Sequence, residues 1–203
     1  MTRYDDMNAI TIEAHVREAG KRAAKAARRA ERVPAVIYGF GVEPVSISVP
    51  ELSLRPLIYT TEFHTVQITA DGQTWDCIMK DVTYHPVTDR PTHVDFQVLV
   101  PGREVAVTVP VKFIGTPKGQ IAGGRTRKVL RKLNISALPE NLPTTVDVEI
   151  AELEIGQTIQ VQDLPSDGIT FTDMPDQTIV AIARPRGGMA AAEGEGEDAE
   201  ADA

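Results

Sequence analysis

The chain has 203 residues, 42% of them hydrophobic and 25% charged, with a formal net charge of -8. That is enough apolar sequence for one large or two modest domains, two being expected. With no apolar run near the ~18 residues of a membrane span and no apolar core of an export signal after Met1, a cytoplasmic protein is expected, with no membrane partner. Residues 1–98 hold 11 basic and 13 acidic side chains, residues 99–186 hold 10 and 10, and residues 187–203 hold none and 6, so most of the negative charge is tail.

Residues 1–8 read as a flexible leader. The alternation of Ala9-Ile10-Thr11-Ile12-Glu13-Ala14 then predicts a half-buried strand that ends before Gly20. Arg17, Lys21, Arg22, Lys25, Arg28, Arg29 and Arg32 follow within sixteen residues, opposed only by Glu18 and Glu31. A helix from Lys21, closed by Val33-Pro34, would put residues 17, 21, 25, 28 and 32 on one side and Ala23, Ala26, Ala27 and Ala30 largely on another. Such a stripe is either a solvated face or a surface made to meet an anion.

Ala35–Tyr38 is an apolar β run, and Gly39-Phe40-Gly41 permits a tight turn or a close backbone approach. A strand over Val45–Val49 and a short helix over Pro50–Arg55 come next. Thr65–Thr69 and Thr74–Met79 then flank Asp71-Gly72, the dipeptide of a two-residue hairpin. Cys77, the single cysteine, lies in that alternation and reads as a buried strand residue of a reducing compartment rather than a nucleophile. Residues 80–87 and the strand Thr92–Val98 complete the first unit.

Pro101-Gly102 marks a boundary, and Glu104–Lys112 opens a second β unit. Gly115–Gly119 and Gly123-Gly124 read as a flexible connection. Arg125, Arg127, Lys128, Arg131 and Lys132 then form either a second RNA contact or a strand with a basic outward side, the second being favoured. Residues 145–150, 157–161 and 177–182 continue the β pattern, with turns at Gly156, Pro165, Asp167-Gly168 and Pro175-Asp176. The Ala, Gly, Glu and Asp of residues 187–203 predict a disordered tail. The expected fold is mostly β with minor α. An N-terminal small β-barrel with one or two helices spans residues 9–98, and a C-terminal β domain spans 99–186.

No serine elbow, P-loop or paired-carboxylate motif points to an enzyme, and no cofactor or small-molecule substrate is expected. His93 and Asp95 share one strand face, and His85 precedes them in a turn, so a metal-dependent hydrolase built on these three is one alternative. The same strand, with Lys80 nearby, could instead offer donors and acceptors to base edges and 2′-hydroxyls in the shallow minor groove of A-form RNA, while arginines and lysines hold phosphates. Asp95 is then either an acceptor for base amino groups or 2′-hydroxyls, or a strand-end carboxylate bonded to nearby backbone. A third reading is a stress-related module whose basic segment binds an acidic protein.

Arg17-Glu18-Ala19-Gly20-Lys21, then residues 33–39 (VPAVIYG), residues 80–87 (KDVTYHPV) and His93-Val94-Asp95-Phe96, in that order, closely resemble the L-twenty-five family of bacterial ribosomal proteins, which bind 5S ribosomal RNA. Residues 99–186 resemble the added β domain of its long form, often called general stress protein CTC. The resemblance implies a ribosomal protein without enzymatic activity, whose barrel lies on loop E of 5S ribosomal RNA beside neighbouring large-subunit components. It implies RNA contacts at Arg17, Lys21, Arg28, Lys80, His93 and Asp95, with Arg22, Lys25 and Arg29 as phosphate neighbours. Two departures stand out. The family's arginine pair and leucine are Lys25, Ala26 and Ala27 here, and its glycine before Val-Pro is Glu31 or Arg32.

Overall fold

A computed structural model describes residues 9–165 and 168–184. The expected leader, the Asp167 half of one turn and the acidic tail lie outside them. In chain order the first elements are β1 (Ala9–Glu13), β2 (His15–Val16), α1 (Lys21–Arg29), β3 (Arg32–Gly39), β4 (Val42–Pro50), α2 (Glu51–Ile58), β5 (Thr65–Ala70), β6 (Gln73–Tyr84) and β7 (Pro91–Val98). Their strands form one seven-stranded sheet in the order β1-β5-β6-β7-β3-β4-β2.

The two edges of that sheet, β1 and β2, are separated in sequence by Ala14 alone. Ala14 donates its N–H to Thr69 O on β5, while His15 and Val16 pair with Ser48 and Ile47 on β4. A sheet whose opposite edges are joined by one residue must curl until they meet, which makes the barrel. Its interior is filled by Ile12, Val33, Ala35, Ile37, Ile47, Val49, Leu54, Val66, Ile68, Cys77, Val94 and Phe96, all at most 2% exposed. Two pairings are parallel, β1 with β5 and β3 with β7. The others are antiparallel, including the β5–β6 hairpin, in which Asp71 and Gly72 take φ of 49° and 80°.

Several local expectations are corrected. Helix α1 stops at Arg29, four residues before Val33, and Val33-Pro34 belongs to β3. Pairing with β7 begins only at Ala35, so Pro34 removes no bond from that ladder. Arg17 and Arg32 therefore lie off the helix. Its half-buried side is Ala23, Ala24 and Ala27, whereas Ala26 and Ala30 are exposed. Helix α2 runs through Pro56 to Ile58, because burial of Leu54 and Leu57 outweighs the local cost of proline. At Gly39 an added Cβ would lie 2.9 Å from Val98 Cβ, so the expected close approach is real and sits between β3 and the end of β7.

The helix terminates through Glu31, which has φ of 55°. Glu31 is the position at which a glycine would be at ease, and its side chain is exposed. Replacing Glu31 with Gly should therefore stabilise the chain by about 0.5–1 kcal/mol, seen as a rise in thermal midpoint of roughly 1–4 °C.

Later elements are β8 (Val105–Ile114), α3 (Lys118–Ile121), β9 (Arg125–Lys128), β10 (Lys132–Ala137), a 3-10 turn at Pro139–Asn141, β11 (Val146–Glu149), β12 (Thr158–Gln160), a 3-10 turn at Val161–Asp163, β13 (Ile169–Phe171) and β14 (Thr178–Ala183). The chain resolves into two compact units. Among the described residues, one comprises residues 9–112, 132–146, 165 and 168–174, the other residues 113–131, 147–164 and 175–184. The first unit adds to the barrel the antiparallel run β8-β10-β13, with Val107, Val109, Leu133 and Ile135 buried. In the second, β14 lies between β12 and β9, and Ile114, the last residue of β8, accepts from Ile150 N–H.

The glycine-rich connection is close-packed rather than flexible. A Cβ on Gly119 would fall 2.7 Å from Ile155 N, and one on Gly124 2.6 Å from Gly119 O. These glycines let α3 lie flat against neighbouring backbone.

Candidate nucleic-acid interface

Helix α1 begins at Lys21 after the N-cap Gly20, with no side-chain cap and no acidic residue in its first turn. Lys21 and Arg22 instead stand at the positive end of the helix dipole, an arrangement unfavourable in isolation that an incoming anion would relieve. Lys21, Arg22, Lys25, Arg28 and Arg29 are all exposed, and no ion pair engages them among the described residues. The small side chains of Ala23, Ala24 and Ala27 let the helix sit close to the barrel while its cations face outward.

Arg28 ties this helix to the strand predicted to read RNA. Its Nε donates to Thr92 O at 3.0 Å, on β7 and immediately before His93. His93 Nδ1 lies 2.8 Å from Asp95 Oδ1, both side chains about one-third exposed on the outer face of the barrel. Nδ1–H donates to the carboxylate, and Nε2 is the ring nitrogen left for a ribose hydroxyl. Asp95 is mid-strand, not at a strand end, and its carboxylate is held by His93. Opposite it on β6 stands Asp81, and burial first, then the Asp95 and Asp81 carboxylates, raise the pKa of the Tyr38 phenol. Donors from a ligand would relieve this like-charge pairing.

Arg17 precedes the helix and is half-buried. Its Nε donates to Ile47 O at 2.9 Å and its Nη1 to Glu18 O at 3.1 Å. Burial first, and then the nearby Arg28 charge, lower its pKa, which places the two guanidiniums in one field. Arg17, Arg28, His93 and Asp95 are thus brought together, with Lys21, Arg22, Lys25 and Arg29 along the adjoining helix. Lys80 is not directed there. It sits at a bulge between Met79 and Asp81, and its Nζ donates to Ala106 O at 2.7 Å. The inserted residue re-aims its side chain.

His85 is occupied locally, its Nδ1 accepting from Val87 and Thr88 N–H, each at 3.3 Å. Among the described residues no group of three or more His, Cys, Asp or Glu could hold a metal ion, so the His85, His93 and Asp95 set does not assemble. Burial and then Asp76 push the Cys77 thiol up to about 12, which suits an inert core residue. No helix among the described residues is long and apolar enough to cross a membrane. Tyr38 and Asp81, beside Asp95, were not singled out by periodicity. Alternation over Val36 and Tyr38, in register with Asp95 and Gln97, is the signal that places Tyr38 there.

The motifs carried by these elements match known proteins over most of the chain. Residues 12–96 match the Ribosomal L25p family and residues 104–186 the C-terminal domain of ribosomal protein TL5. A protein of Chloroherpeton thalassium named large ribosomal subunit protein bL25 is 37% identical over 187 residues, 89% of this chain and 94% of its own length. The chain belongs to the bL25 family. A Porphyromonas gingivalis protein of the same name is 36% identical over 176 residues, covering 86% of this chain and 92% of its own length. A third, from Chlorobium phaeobacteroides, is 33% identical over 187 residues. Both halves of this bL25-family chain are represented in those relatives, in keeping with the long, two-domain form.

Proposed function

We propose that this bL25-family chain is a structural protein of the large ribosomal subunit, working in the cytoplasm without enzymatic activity, and that it binds 5S ribosomal RNA through the barrel of residues 9–98. The observation that carries the reading is the Arg28–Thr92 link, which joins an exposed cationic helix to the His93–Asp95 pair. A-form RNA offers what each half needs, since phosphates suit the helix and 2′-hydroxyls or base edges in the wide minor groove suit His93 and Asp95. Arg17, Lys21, Arg22, Lys25, Arg28 and Arg29 supply positioning contacts, and His93 and Asp95 supply selectivity. Lys80 is assigned to backbone support rather than to base reading. The sequence of residues 99–186, which contributes strands to both compact units, is assigned to neighbouring components of the subunit.

Binding of the full chain to 5S ribosomal RNA and to an unrelated duplex of equal length tests the division of labour. Arg28→Ala should weaken both alike and reduce the salt slope by roughly 1, while Asp95→Ala should weaken 5S binding selectively, by about five- to a hundredfold. Equal losses for the two variants would remove the selective role of Asp95.

A further inference from the structure

The second compact unit carries its own cationic surface, which the bL25 reading of the barrel does not use. Between Phe113 and Arg131 the sequence has Lys118, Arg125, Arg127, Lys128 and Arg131 and no acidic residue. Strand β9 is an edge of the β12-β14-β9 sheet, so its outer side has no strand partner among the described residues. Its side chains divide cleanly. Thr126 pairs with buried Ile182 and donates to Gln120 Oε1 at 3.0 Å, and Lys128 lies 4.7 Å over the Phe113 ring.

Arg125 and Arg127 take the opposite face. Their cross-strand partners are Ala183 and Ala181, and beyond Ala181 stands Thr158 on β12. Both arginines are exposed, and among the described residues no ion pair engages either. The face therefore carries two arginines at backbone positions about 6.6 Å apart along a strand, beside small neutral residues, with no carboxylate at the paired positions to neutralise them. Charges on an edge strand also deter edge-to-edge pairing, but with no acidic residue between Phe113 and Arg131 this stretch is of a single sign throughout. A flat bed of alanines beside a cation pair leaves room for a rod-like polyanion to lie across the strand, and Arg forks suit phosphate oxygens.

We propose that the Arg125/Arg127 face of β9 is a second RNA-binding surface, taking the sugar-phosphate backbone of an RNA duplex without reading its sequence. It rests on the charge and register of β9 and not on the assignment of 5S ribosomal RNA to the barrel. The test measures the full chain, R125Q/R127Q and R125K/R127K against a plain RNA duplex of about 16 bp and against 5S ribosomal RNA. Because both side chains are exposed, circular dichroism should be unchanged, and the lysine variant preserves charge if the glutamine variant folds poorly. In the Lys25→Glu/Arg29→Glu background, where the barrel contributes little, R125Q/R127Q should bind the plain duplex about tenfold or more weakly, with the salt slope reduced by roughly 2, while R125K/R127K keeps most of the affinity; with the barrel unaltered, 5S binding changes less than about threefold. Duplex binding unchanged by R125Q/R127Q in that background would overturn the proposal. So would unchanged duplex binding together with a lost affinity for large subunits lacking this protein, which would assign the face to a protein partner.

Discussion

Lys25→Glu combined with Arg29→Glu should reduce affinity for 5S ribosomal RNA by at least on the order of a hundredfold at moderate salt, without changing the thermal midpoint by more than a degree or two. Both side chains are exposed on α1 and make no recorded ion pair among the described residues, so the fold does not depend on them. Each charged hydrogen bond to phosphate is worth about a tenfold factor or more, and reversal adds repulsion to the loss. The reversed protein should also show a salt slope shallower by roughly 2, because fewer counterions leave the RNA on binding. The same change at Lys80 should do little to RNA affinity, since its amine is already held by Ala106 O.

Phe96→Ala should be the most destabilising single change in the barrel, by about 3–5 kcal/mol, with a fall in thermal midpoint of roughly 6–20 °C. Phe96 is fully buried on β7, between Met79 of β6 and Ile37 of β3 in register. No flanking side chain can fill the space left by the ring without moving one of those strands. Because Asp95 is the preceding residue and faces the other side of the same strand, RNA selectivity should decline in step with stability. Chemical denaturation checks the magnitude, and a loss below about 1 kcal/mol would show that the barrel relaxes around the cavity.

The barrel strands were legible because their alternation is strict and the Asp71-Gly72 hairpin is specified by backbone chirality. What escaped was set by contacts distant in sequence. Leu133, Ile135 and Ala137 alternate with Lys132, Asn134 and Ser136, but the basic residues before them mask that alternation, and β10 is defined by its pairing with β8. The three-residue strand β13 has no periodic signal at all.

At the site, charge density identified the helix, and its true end at Arg29 needed a non-glycine residue, Glu31, to accept a positive φ. Local propensity argues against that choice, and the sheet pairing of Arg32 with Pro50 enforces it. Lys80 shows the same limit in another form. One residue inserted at a bulge puts Asp81, where strict alternation would put Lys80, opposite Asp95, and only the register with β7 reveals it. The glycines near α3 read as flexibility in sequence, although in the fold they are sites of close backbone approach.

The central claim is that the barrel's cationic helix and its His93–Asp95 strand form one site for 5S ribosomal RNA. Sequencing the RNA that copurifies with the full chain, beside the Lys25→Glu/Arg29→Glu protein, tests it most directly. The account predicts 5S ribosomal RNA as the dominant species with the unaltered chain and its loss from the variant. Copurification of other RNAs without 5S, or equal recovery of 5S by both proteins, would contradict it.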